Sequence, residues 1–225
     1  MIDNVKVSSQ PIDVTAAPRR RQARSEVTRL KLLEAALREF AAHGFEATST
    51  RAIATAAETQ QPQINYHFSS KEALWQAAVD HLFERLDDVV RRRVKASPPV
   101  TDERSLFGQQ VRGFVHAAAE LPELNRIMVH EATVVSDRLR WLVERHTRPR
   151  FEALTRSWRA LRLQGLVADI DETVFYYSLV GAASLPYVNA PEALLLGHDT
   201  LHPAFIELQA DALVALFLGP DGVTR

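Results

Sequence analysis

Five polar or hydrogen-bonding side chains fall within seven residues of one another: Gln61, Gln63, Asn65, Tyr66 and His67. A carboxamide offers a donor and an acceptor that match an adenine edge or hold a phosphate. A phenol or an imidazole can bond a phosphate oxygen. Upstream lies a basic run, in which Arg19, Arg20, Arg21, Arg24, Arg29 and Lys31 face only Glu26. Amides on one short segment and cations on a neighbouring one are the chemistry of nucleic-acid recognition. The net charge of −1 looks unfavourable for such a partner. It conceals an asymmetry, because residues 160–225 hold two basic and eight acidic residues, and the excess of cations lies before them.

Other chemistries find little support. The 225 residues contain no cysteine, which excludes disulfides, thiolate catalysis and Cys-ligated metal sites. His130-Glu131 begins like a zinc-protease helix, but that pattern needs a second histidine four residues on, and the chain has Val134. His198 and His202 are the one close histidine pair and read as loop residues. No Gly-x-Ser-x-Gly, phosphate-cradling glycine loop or carboxylate pair stands out. No catalytic residue, metal site or cofactor is expected. No apolar run reaches 18 residues, so no membrane span is expected, and a cytoplasmic protein is the default.

The elements that must position these side chains are helical. Leu30, Leu33, Leu37 and Phe40 recur at three and four, and Gly44 stops the helix. A short helix over about 49–57, with Ser49 or Thr50 at its start, and another over about 61–67 make a helix-turn-helix. Pro62 fits a first turn, and Ile53, Ala56, Ala57, Ile64 and Phe68 pin the pair together. Ser69 and Glu72 form a capping box that opens a long helix along Leu74, Ala78, Leu82, Leu86 and Val89. Helices follow at 102–120, 122–132, from Ser136 to His146, from Pro149 to Gly165, at 171–186 and at 203–218. The expected fold is all-α with about nine helices and no sheet. Residues 1–24 read as a flexible basic arm, 25–70 as the helix-turn-helix domain and 71–225 as a C-terminal body.

The stretch RLKLLEAALREFAAHGFEATSTRAIATAAETQQPQINYHFSSKEAL at 29–74 resembles the DNA-binding domain of the TetR (tetracycline-repressor-like) family of transcriptional regulators. The likeness rests on the apolar helix ending in Phe40 and Gly44, Thr48-Ser49, Ile53-Ala54 with Ala56-Ala57, Tyr66-His67-Phe68, and Lys71-Glu72 with Leu74. It implies a homodimeric all-α regulator of double-stranded DNA, more often a repressor. Its C-terminal body would dimerise and often bind a small effector. By position, Tyr66 and His67 would hold phosphates, with Lys71 at the start of the next helix. Thr48 and Arg51 would contact the DNA backbone, and Gln61 and Gln63 would read bases. The chain departs from the family in the turn, where Glu58-Thr59-Gln60 replaces the usual Gly-Val-Ser. Loss of glycine removes an easy left-handed residue. Asn65 stands where a second tyrosine is common.

In the body, 204–218 is apolar on most of its circumference, so it must be covered on more than one side. Together with the small residues of 178–184 it suggests an isologous dimer contact through Ser178, Gly181, Ala182, Phe205, Leu208, Ala212 and Leu216. An effector pocket among the middle helices would draw on Phe107, Phe114, Met128, His130 and Glu131. Trp141, Trp158, Tyr176 and Tyr177 are further candidates, although aromatics at helical spacing also serve as plain core. The competing reading is an all-α small-molecule-binding or enzymatic protein that keeps the scaffold without specific DNA binding.

Overall fold

The computed structural model describes residues 16–219, with side chains from Gln22 onward. Eleven α-helices and one π-helical turn account for these residues, and no strand occurs among them. The first four are α1 (Ala16–Ala47), α2 (Thr50–Ala56), α3 (Gln61–His67) and α4 (Lys71–Ala96). Next come α5 (Glu103–Glu120), α6 (Pro122–Ala132) and α7 (Asp137–Leu142). The π-turn (Val143–Thr147) leads into α8 (Arg148–Leu163), and α9 (Glu172–Val188), α10 (Ala190–Leu195) and α11 (Pro203–Leu218) complete the chain.

Most helix starts are capped as the residue types require. Ser49, Ser136 and Asp171 each accept a first-turn backbone N–H at 3.0, 3.1 and 2.8 Å. The cap of α4 is Ser70, which accepts from Ala73 N at 3.0 Å, one residue later than the Ser69 box. Gly44, at φ 73°, interrupts α1 where the stop was expected. One expectation fails. α1 begins at Ala16, so residues 16–24 are helical rather than a flexible arm; residues 1–15 of that arm lie outside the described part. The six-residue α10 lies between the helices expected at 171–186 and 203–218 and has too few residues to show a period.

Two apolar clusters organise the chain. One gathers Leu33, Leu37 and Phe40 of α1, Ile53, Ile64, and Trp75 and Leu82 of α4. The other joins α5, α8, α9 and α11 around Trp158, which stacks on Phe175 at 3.9 Å and donates Nε1 to the Ile170 carbonyl. The 26-residue α4, about 39 Å long, runs from the first cluster to α5. Glu34 ties it to α1, bonding His81 Nε2 at 2.9 Å and Arg85 Nη1 at 3.0 Å. Among the described residues no helix is long and apolar enough to cross a membrane.

Candidate nucleic-acid interface and effector cavity

α2 and α3 pack through Ile53, Ala54, Ala57, Ile64 and Phe68, all buried, while Ala56 is half-buried. The turn between them has a defined closure. Glu58 N donates to Thr55 O at 3.0 Å and Thr59 N to Ala54 O at 2.9 Å, the paired bonds of a Schellman motif. That motif needs a left-handed residue at its C′ position. Glu58 supplies it at φ 53°, the one non-glycine residue with positive φ among those described. The family's glycine position is thus kept in backbone shape and filled by a residue that resists it.

The closure leaves one face of α3 bare. Gln61, Gln63, Asn65 and Tyr66 are exposed, Tyr66 to 69%. Gln61 Nε2 reaches Thr50 Oγ1 at 3.3 Å, which fixes its amide across the two helices. Arg51 is exposed on α2. His67 is partly covered, and its Nε2 is buried without a partner, which leaves Nδ1 as the ring nitrogen for a phosphate. Burial and then the nearby Arg29 hold its pKa below the usual imidazole value, so it is neutral at pH 7.

One assigned backbone contact takes another role. Thr48 is 2% exposed, and its hydroxyl donates to the carbonyls of Gly44 (2.8 Å) and Glu39 (3.1 Å). It closes the broken end of α1 and cannot reach DNA. Lys71, in the first turn of α4, lies 4.3 Å over the Phe45 ring and 3.4 Å from the Glu46 carbonyl, which leaves two of its three N–H donors for other partners. The structure also brings α1 beside α3. Arg24, Ser25 and Thr28 line a groove of about 290 Å³ with Gln63 and Tyr66. The basic run signalled these residues, but reading 1–24 as unstructured hid which of them sit next to α3.

A cavity of about 760 Å³ lies among α4, α5, α6, α8 and α9. Of the expected pocket residues, Phe114, Met128 and Tyr176 line it. The others point elsewhere. Phe107 and Trp158 are core, and Trp141 packs on Trp75 at 5.5 Å. His130 Nε2 faces the Ala41 carbonyl at 3.3 Å, and Glu131 is buried against Arg138 at 3.2 Å. Tyr177 is exposed, since each helical step turns the side chain about 100° away from its neighbour Tyr176. Phe83, Leu86, Val90 and Val94 of α4 form a wall of the cavity, and of these only Leu86 belongs to the apolar stripe expected on that helix.

On the outer side of the body, Ser178, Gly181, Leu208, Ala212 and Leu216 are exposed, Leu208 to 65% and Leu216 to 70%. Ala182 and Phe205 turn inward against the second apolar cluster instead. Gln209 Nε2 donates to the Ala182 carbonyl at 2.6 Å, which holds α9 and α11 side by side. His202 caps α11, its Nδ1 accepting from Ala204 N at 3.2 Å.

A buried helix-turn-helix seam, a bare polar face on the second helix and a hollow helical body define the class: an all-α fold with a helix-turn-helix N-terminal unit. Residues 32–78 match the family described as bacterial regulatory proteins, tetR family, so this unit is similar to the DNA-binding domain of that family. No sequence among curated proteins matches the chain. Among solved structures, AibR in complex with isovaleryl coenzyme A and operator DNA is similar in fold, with a TM-score of 0.63 at 20% identity over 86% of this chain and 99% of that one. A TetR family transcription regulator from Marinobacter aquaeolei VT8 has a TM-score of 0.61 at 22% identity, over 90% and 98%. A TetR-like transcriptional regulator from Rhodococcus sp. RHA1 has 0.59 at 19%, over 84% and 92%. The matched family is described as regulatory proteins, and the second and third of these structures as transcriptional regulators.

Proposed function

We propose that the protein is a dimeric, ligand-responsive repressor that binds a palindromic operator in the cytoplasm. The observation that carries this reading is the bare face of α3, where Gln61, Gln63, Asn65 and Tyr66 stand exposed beside Arg24. Gln63 and Gln61 read base edges, while Tyr66, His67, Arg51 and Arg24 hold the backbone. The apolar stripes of α9 and α11 pair with a second copy across a two-fold axis, so two reading heads enter successive major grooves roughly 34–36 Å apart.

The cavity supplies the control. α6 presents Leu124, Asn125 and Met128 to the cavity, while its Ile127, His130 and Glu131 pack towards α1 and α7. α4 likewise lines the cavity and continues to the helix-turn-helix. A ligand that spreads these helices shifts the spacing of the two heads, and by linkage operator DNA and ligand weaken one another. AibR, whose fold is similar, has been crystallised with both isovaleryl coenzyme A and operator DNA, which supports a body that takes a ligand.

The test is a titration of the protein against its own upstream DNA at several salt concentrations. A specific site should bind at least about 10³-fold more tightly than random DNA. Equal affinity for the two refutes the specific-regulator reading and favours the scaffold-only alternative.

A further inference from the structure

The cavity wall is largely apolar, with single polar residues from several helices. Leu86, Val90, Phe114, Leu124, Met128 and Leu179 make an apolar interior. Three cations line the cavity. Arg91 and Lys95 lie one turn apart on α4, both exposed, and Arg150 comes from α8. Asp87 is the only acidic residue on the cavity wall. Arg150 Nη2 bonds its Oδ2 at 2.5 Å, a tie from α8 to α4. Arg150 also donates Nη1 to the His146 carbonyl at 3.0 Å and lies 4.7 Å over the Phe83 ring. Thr147 Oγ1, also on the wall, is buried without a hydrogen-bond partner.

We propose that the cavity binds an amphiphilic anion: one long apolar chain inside, and a carboxylate or phosphate head held at the α4–α8 edge by Arg150 and Arg91, with Lys95 about 6 Å further along α4 to widen the positive rim. The inference rests on the ligand-responsive reading above and names the ligand class. The lining stripe from Phe83 to Lys95 runs about 18 Å along α4, so the cavity favours an elongated guest. A charge placed among the leucines would be left unpaired at heavy cost, so the charged end belongs at the rim. Arg150 is bonded to Asp87 and Arg91 to Asp88 at 2.6 Å, so the three cations exceed these two acids by one. That balance favours an anion, and a guanidinium fork suits carboxylate and phosphate alike. The head competes with Asp87 for Arg150, and binding therefore loosens the tie between α8 and the helix that leads to the DNA-binding domain.

Calorimetric titration of the full chain with straight-chain carboxylic acids of increasing length, the matching alcohols and the matching coenzyme A thioesters tests this. Acids or thioesters should bind at least tenfold more tightly than alcohols of equal chain length. Each added methylene should raise affinity about fourfold until the cavity is full. Acids alone binding identifies a carboxylate head, thioesters alone a phosphate-bearing one, and either supports the proposal. Arg150→Gln should erase the anion's advantage and leave alcohol affinity unchanged, whereas Asp87→Asn should strengthen anion binding. Arg91 and Lys95 are exposed, so the double variant Arg91→Gln/Lys95→Gln gives the same reading should Arg150→Gln fail to fold. Equal affinity for anions and alcohols, or an advantage that survives both sets of rim changes, overturns the proposal. Because calorimetry contains no DNA, the two readings fail separately. A chain that binds its operator but no anionic amphiphile overturns the ligand class alone. A chain that binds the amphiphile without DNA preference overturns the regulator reading alone.

Discussion

Replacing Glu58 by glycine should stabilise the protein. Glu58 holds φ 53° at the C′ position of α2, with both Schellman hydrogen bonds formed around it. An L-residue pays about 1–2 kcal/mol for the left-handed region, whereas glycine pays no steric cost there. Glycine gives back about 0.4–1 kcal/mol through the greater freedom of the unfolded chain. Glu58 is exposed and makes no side-chain hydrogen bond or ion pair among the described residues, so little else is lost. The net gain is about 1 kcal/mol, which for a chain of this size raises Tm by roughly 2–4 °C. Thermal and urea unfolding of Glu58→Gly, Glu58→Asn and Glu58→Gln measure it. Asparagine, which tolerates the left-handed region, should gain part of the effect. Glutamine removes the charge but keeps the strain, and should gain none. A glycine variant less stable than wild type, or a glutamine variant equally improved, refutes a strained turn at this position.

Gln63→Ala should relax operator specificity by about 1–3 kcal/mol, read by competition with single-base operator variants. Arg24→Ala should instead weaken all sequences alike and lower the log–log salt slope by about 1. Leu208→Glu with Leu216→Glu should convert a dimer to a monomer in sedimentation, since each leucine buried at the two-fold contact is worth about 1.5–3 kcal/mol in each copy. For pH, burial is the first cause that lowers the pKa of His67, His116 and His146. The unfolded chain then binds protons that the folded one resists, so stability should fall as pH drops through about 6.5 and lie flat above it. DNA affinity should move the other way. A phosphate at His67 raises its pKa in the complex, so binding strengthens from pH 7.5 to 6, and His67→Gln should flatten that dependence.

The helix-turn-helix was legible residue by residue because its determinants are local. A cap, an apolar step of three or four, and a proline confined to a first turn act within a few residues of one another. Even the irregular turn was legible, since the absence of glycine at position 58 marks a conformation the backbone must still adopt. Thr48 was misassigned for a different reason. Its type suits a phosphate, but its hydroxyl is consumed by two carbonyls left open at the Gly44 break. That engagement has no signature in residue order.

The sequence alone determined the all-α class, the position and seam of the DNA-binding unit, and the polar face of α3, because helical period and capping are short-range. The tertiary structure alone decided which of the aromatics are core and which line a cavity, since adjacent helical residues such as Tyr176 and Tyr177 share a type and diverge by direction. It also decided that Arg150 meets Asp87 across 63 positions of chain. Such a pairing depends on where two helices come to rest, and that is set by the packing of both apolar clusters rather than by any local pattern.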